Sequence, residues 1–219
     1  MICASCHSTE AVTGETRCAR CAPAVPFVPP GPPLRSPVGL GRATVVMLGL
    51  VGAGDAVAIW ADLASPSYRV GAVLNIGQGV LLLATAVVYL CWLWRVRVNA
   101  EIFDASSQSK ARWLTIGGWF IPFVNFWFPR RIVLDAWDAS APQGRPSGHG
   151  PVDLWWTAWV AGLIADRLLR VESGAVMRVV SDGVGLVAAA LAALVVLRLT
   201  RMQSEKAAQG PLLPTTALG

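Results

Sequence analysis

The sequence predicts an all-α membrane protein with four transmembrane helices plus one proline-broken short or re-entrant helix, preceded by a small cysteine-rich head. Three observations predict it. Hydrophobic residues make up 54% of the 219 and charged residues only 14%, proportions foreign to an ordinary soluble domain. The apolar residues come in blocks of about 18 or more, the length that covers the ~30 Å hydrocarbon core of a bilayer. Ahead of any such block stand Cys3-Ala-Ser-Cys6 and Cys18-Ala-Arg-Cys21, two CxxC pairs eleven residues apart.

Residues 1–21 form the head, with Thr13-Gly14 as a turn between the cysteine pairs. Residues 22–39 form a Pro-rich linker, with Pro23, Pro26, Pro29, Pro30, Pro32, Pro33 and Pro37 and no apolar periodicity; the composition suits a polyproline spacer. The membrane body occupies residues 40–202. Its first span runs from Ala43 to Ala61, with Asp55 as its interior charge. The second runs from Val70 to Trp94 and ends in Arg95 and Arg97, aromatic and basic residues that suit the water boundary. Trp113 to Phe128 is too short for a straight crossing, because sixteen residues rise only about 24 Å. Gly117, Gly118, Pro122 and Asn125 interrupt it and Pro129-Arg130-Arg131 closes it, so it either kinks or re-enters. A block opened by Trp155, Trp156 and Trp159 reaches Ala165. The last span runs from Val179 to Leu199, and residues 203–219 read as a disordered tail.

No basic segment followed by an apolar stretch stands ahead of the cysteines, so the head is expected in the cytoplasm. With the proline-broken segment re-entering, both termini are cytoplasmic and only Arg69, Arg167, Arg170 and Arg178 lie outside, leaving 14 of the 18 lysines and arginines inside. With that segment spanning, the split becomes 11 against 7. The positive-inside rule selects the first arrangement.

In a reducing compartment, Cys3, Cys6, Cys18 and Cys21 favour metal over disulfides, and four thiolates close a tetrahedral Zn²⁺ shell with no open position for substrate. The expected cofactor is therefore a structural Zn²⁺ in a zinc-ribbon-like head, with His7 a minor competitor for a ligand place. Redox dithiols or disulfides are the alternatives. Cys91 reads as a small buried hydrophobe. Arg17 and Arg20 are offset by Glu10 and Glu15, and the head carries no aromatic for base stacking, so the footprint of nucleic-acid binding is missing. Asp55 and Asp182 are ionisable residues inside spans, where a charge costs about 2.5–3.5 kcal/mol. They mark either an ion path or carboxyls satisfied without transport, by a neighbouring helix that Gly52 and Gly54 beside Asp55 would let approach, by Arg178, or by protonation. Asn125 can return donors to carbonyls freed by Pro122 and Pro129, or line a site in a discontinuous helix. Trp113, Trp119, Trp127 and Trp137 read as interfacial belts.

Trp92-Leu-Trp-Arg-Val-Arg-Val-Asn99, Gly118-Trp-Phe-Ile-Pro-Phe-Val-Asn-Phe-Trp-Phe-Pro129 and Trp155-Trp156 resemble a bacterial multi-pass membrane family, the domain of unknown function DUF4328. The resemblance covers roughly Val38 to Met202, and Trp119 to Pro129 match its W-x-I-P-x-x-N-x-x-x-P pattern without a gap. It implies a membrane-embedded domain with no established activity or catalytic residue. The cysteine head stands outside it.

No nucleophile, phosphate loop or acid/base pair stands out, so the sequence points to a non-enzyme. The expectation is a bacterial inner-membrane scaffold or sensor in the lipid bilayer, with a protein partner or homo-oligomer. The alternative is a small transporter or channel-like protein using Asp55, Asp182 and Asn125. The topology is testable: a cysteine introduced at Ser147 should react with membrane-permeant but not impermeant maleimide in intact cells, read by peptide mapping. Labelling by the impermeant reagent would reverse the arrangement.

Overall fold

The computed structural model describes residues 2–10, 18, 21, 33–64, 68–142, 148–169 and 174–209. The chain divides into two units, Met1–Pro33 and Leu34–Gly219. Most of the Pro-rich linker and residues 210–219 of the expected tail lie outside the described residues. The first unit holds an isolated antiparallel bridge between Ile2 and Glu10, and no strand occurs among the described residues.

The second unit is helical: α1 (Val38–Ala64), α2 (Tyr68–Phe103), α3 (Leu114–Gly117), a 3₁₀ turn (Val124–Phe126), α4 (Phe128–Ser140), α5 (Gly150–Leu169) and α6 (Ala175–Ala208). Pro37 immediately precedes α1, its carbonyl accepting the Gly41 N–H at 2.8 Å, and the Ser36 hydroxyl accepts the Val38 N–H at 3.4 Å. Helices α1, α2 and α6 are long and apolar enough to cross a membrane. Each exceeds its expected span, because polar and aromatic residues at the ends continue the helix beyond the apolar block. Helix α6 runs through residues 203–208, expected from composition to begin the tail; burial of Gln203 against α2 and α4 keeps them helical. The fourth expected crossing falls on α5, a 20-residue helix that is not among the three long and apolar enough to cross a membrane.

Only 22% of the residues in each of the three apolar windows are buried. Val73, Ile76, Val80, Leu83 and Val187 face outward while Thr44, Asp55 and Thr85 face inward. So large an apolar surface suits lipid rather than water. Cys91 also lies exposed on α2, not buried as its apolar setting suggests, because it sits on the face turned away from the other helices.

Helix α1 packs on α2 and α6, and α6 packs on α5; α2 meets α5 little and is joined to it through α4. The apolar core gathers at one end, where the C-terminal halves of α2 and α6 meet α4 and the start of α5 around Trp92, Val96, Trp137, Trp155 and Leu199. Six buried or partly buried hydrogen bonds cross it. Trp92 Nε1 donates to Thr200 Oγ1 at 3.0 Å. Asn99 brackets the Arg35 backbone, accepting its N–H at 3.1 Å and donating to its C=O at 2.7 Å. Asn99 Nδ2 also donates to Gln203 Oε1 at 3.1 Å. Gln203 Nε2 in turn reaches the Val96 carbonyl at 2.9 Å and Ser140 Oγ at 3.2 Å.

Residues 118–127 are irregular. Val124 N–H bonds the Pro122 carbonyl at 2.8 Å across Phe123, whose φ of 64° is unusual for a residue with a side chain. Pro129 lies in the first turn of α4, so it starts a helix rather than closing one.

Replacing Asn99 with Ala strands both the Arg35 backbone and Gln203. It is expected to destabilise the detergent-purified chain by about 1–3 kcal/mol, seen as a lower Tm. With Gln203→Ala added, the loss should fall short of the sum of the single losses; additive losses would mean that the amides act separately.

Candidate metal centre and intramembrane polar cluster

Cys3, Cys6, Cys18 and Cys21 converge in the first unit, with all four Sγ atoms within 4.8 Å of one another. Cys6 Sγ and Cys18 Sγ are 3.8 Å apart, the edge of a tetrahedron with metal–sulfur bonds of about 2.3 Å. Each pair is shaped by a backbone turn. His7 N–H bonds the Cys3 carbonyl at 3.0 Å, with His7 at a positive φ of 53°, and Cys21 N–H bonds the Cys18 carbonyl at 2.9 Å. The Cys3 N–H reaches Thr9 O at 2.9 Å and closes the first loop, while Ser5 N–H points at Cys3 Sγ, 3.4 Å away. His7 is not among the converging ligands. Four thiols so placed could hold a metal ion.

Their protons are unequally held. The Thr9 hydroxyl, the Ser8 amide and neighbouring thiols lower the Cys6 pKa to about 6. Cys21, whose thiol proton is shared with Cys18 and Cys6, is pushed up to about 12. A cation at the centre would replace the proton that the sulfurs share.

In the second unit, Asp55 and Asp182 line the same cavity, about 520 Å³ between α1, α2 and α6, although 127 positions separate them in sequence. Asp55 is buried; Gln78 Nε2 donates to its Oδ1 at 2.6 Å and to the Val51 carbonyl at 2.9 Å. Glycine permits both approaches. A Cβ on Gly54 would overlap Gln78 Oε1, and one on Gly185 would meet Asp55 Oδ2 at 3.1 Å. The neighbour that Gly54 admits is thus a side chain of α2. Arg178 pairs with Asp62 at 2.9 Å. Asn125 lines neither this cavity nor the adjoining one, and its Oδ1 is buried without a hydrogen-bond partner. Its own N–H bonds the Ile121 carbonyl at 3.1 Å.

The interfacial-belt reading fits Trp113 and Trp127, both exposed, but not Trp119 or Trp137. Trp137 is in the core. Trp119 stands edge-on to Tyr89, Trp156 and Trp159, at 5.5–6.0 Å between ring centroids.

Sequence reasoning passed over Gln78, Arg97 and Asp135. Arg97, buried on α2, binds Glu101 at 3.1 Å, Gln108 Oε1 and the Lys110 carbonyl. Asp135 accepts from Ser109 N–H and Oγ and pairs with Arg131 at 2.9 Å. Both charges recur at helical spacing beside opposite ones, Arg97 before Glu101 and Arg131 before Asp135, which was the available signal.

One family model, described as Domain of unknown function (DUF4328), matches residues 55–201. No curated protein and no solved structure matches the chain. The matched region contains Asp55, Gln78 and Asp182 and excludes all four head cysteines.

Zn²⁺ titrated into the metal-free chain at pH 7 should bind as a single ion and release fewer protons than there are thiols, because Cys6 is largely ionised there already. Affinity should weaken as pH falls and protons compete for the sulfurs. Cys18→Ser should lose the ion; unchanged metal content in that variant would refute the four-sulfur site.

Proposed function

The chain belongs to the DUF4328 family, whose description assigns no activity, and we propose that it is a non-enzymatic membrane scaffold or sensor carrying a structural Zn²⁺ ribbon on a four-span body. The observation that carries this reading is the convergence of four sulfurs, since a fully thiolate shell shapes a surface but offers no position for a reacting group. In this reading α5 is the fourth span, residues 113–127 re-enter on the side of the head, and both termini face the cytoplasm of a bacterial inner membrane. The basic residues near the packed end, among them Arg95, Arg130, Arg131, Arg198 and Arg201, support that sidedness. The head then presents a metal-folded contact surface to a protein partner or to a second copy of the chain.

The second reading, a small transporter, draws on Asp55 and Asp182 lining one cavity, and Asn125 no longer belongs to it. Two measurements separate them. A specific protein retained by the detergent-purified chain and lost with Cys18→Ser supports the scaffold. Ion or solute flux in proteoliposomes that Asp55→Asn and Asp182→Asn abolish, with the Cys18→Ser chain still active, would overturn it in favour of transport.

A further inference from the structure

A second cavity, about 590 Å³, is lined by α1, α2, α5, α6 and the broken segment, and shares Asp55, Asn75, Gln78, Ser181 and Asp182 with the first. The carboxyls of that shared part have partners within the protein. Gln78 Nε2 donates to Asp55 at 2.6 Å, and Arg178, which lines the first cavity with both, interacts with Asp182. A ligand need carry no charge to satisfy them. Elsewhere the lining is mostly apolar. Tyr89, Trp119, Trp155 and Trp159 present rings to it, while Ala188 and Ala192 of α6 contribute only methyl groups and leave the space open. Leu82 and Phe120 also line it, and both are exposed on the outer apolar surface, so the cavity reaches the face turned to lipid.

Two polar atoms of that aromatic wall are orphaned. Tyr89 Oη and Trp119 Nε1 are both buried with no hydrogen-bond partner. A buried donor left unpaired forfeits its hydration for nothing, and native structures leave few of them. Trp156 Nε1, in the same aromatic cluster, does find a partner, the Phe126 carbonyl at 3.2 Å. The two orphans therefore stand out from a neighbour of the same chemistry. They also stand together, with the Tyr89 and Trp119 rings edge-on at 5.6 Å between centroids. An indole N–H can only donate, so what Trp119 lacks is an acceptor.

We propose that this cleft binds a neutral, lipid-soluble ring compound bearing a carbonyl group, of the quinone type, with its ring among the aromatic side chains and its carbonyl oxygen accepting from Tyr89 Oη–H or Trp119 Nε1–H. Each feature of the cleft selects for one part of such a ligand. Aromatic side chains pack on a flat ring edge-on or offset. A carbonyl supplies the missing acceptor without the cost of bringing a charge to this depth. An acyl chain, the other molecule the bilayer offers, has no acceptor along its length. The opening at Leu82 and Phe120 admits a ligand from the hydrocarbon side, and the volume lies within the range of small-molecule sites. Both donors are covered by protein in this arrangement, so the carbonyl meets one of them as its ring turns toward the cleft, a turn that the unpaired donor itself favours. The inference concerns the membrane body alone and does not depend on the cysteine head.

Duroquinone is a suitable probe, because its four methyl groups leave no ring position open to the head thiols, and durene is the same methylated ring without the carbonyls. Each is titrated calorimetrically into the full chain in mild detergent, with empty micelles as the reference. Saturable duroquinone binding above the micelle background is expected, about fivefold or more tighter than that of durene. Ala188→Phe, which fills the cleft, should remove it with helical circular dichroism unchanged. Tyr89→Phe and Trp119→Phe test the acceptor contact: in at least one of them the preference for duroquinone over durene should fall about threefold or more, a ratio that loss of ring area alone does not move. Cys18→Ser should bind as the unmodified chain does, which keeps this result separate from the fate of the metal head. Duroquinone binding no greater than the micelle background overturns the proposal. So does equal binding of the two probes, or a preference that both donor variants leave unchanged, either of which would make the cleft an apolar site without a carbonyl contact.

Discussion

An apolar side chain gains little by leaving lipid for another side chain, so between helices whose apolar faces point outward the hydrophobic effect does not choose the register. Here the choice falls to buried polar groups, each of which must find a partner because no water competes for it. Asn99 and Gln203 are the centre of that constraint. Between them they hold the backbone before α1, the carbonyl of Val96 on α2, Ser140 at the end of α4 and the last turns of α6. An α6 displaced by one turn would leave two amides and a backbone segment unpaired at once. The Trp92–Thr200 bond lies on the same pair of helices and sets the same register.

From that anchor the unit becomes progressively looser. At the anchored end α4 fills the space between α2 and α5, and Arg130 bridges to Asp153 at 2.6 Å. Farther along, Trp119 of the broken segment stands between Tyr89 of α2 and Trp156 and Trp159 of α5. Around the cavity between α1, α2 and α6, Gln78 ties to Asp55 and Val51, and Arg178 to Asp62. The broken segment connects these two regimes. Its irregular backbone carries Trp119 into the aromatic cluster while Phe126 accepts the Trp156 indole. Such backbone is tolerated at this depth only where protein covers it. The unusual φ of Phe123, a conformation that costs about 1–3 kcal/mol, falls at the turn closed by the Val124–Pro122 bond, with the Phe123 side chain exposed.

Apolar block length made the three long helices legible, and cysteine spacing made the sulfur cluster legible, because both signals are local. The contact of Gln78 with Asp55 was not, since a glutamine near a span end carries no mark of its partner on another helix. Gly54 was the usable clue, and it pointed to a close neighbour without naming it. The tryptophans misled for a related reason. Interfacial and interior tryptophans have the same composition signal, and what separates Trp119 from Trp127 is the turn at Phe123, which rotates one inward and leaves the other exposed. Asn125 was expected to repair a proline break or line a site, and its buried Oδ1 has no hydrogen-bond partner.

The two units draw their stability from different sources. The head is too small to bury a core of its own, and its sulfurs stand close enough to repel one another once ionised. A cation held among them would neutralise that charge and supply folding free energy. The body contains no comparable dependence: its buried charges at the anchored end, Arg97 and Asp135, are matched by Glu101 and Arg131 within the protein itself. In the proposed reading, loss of metal should therefore unravel the first unit and leave the second standing, because the two hold their charges by different means.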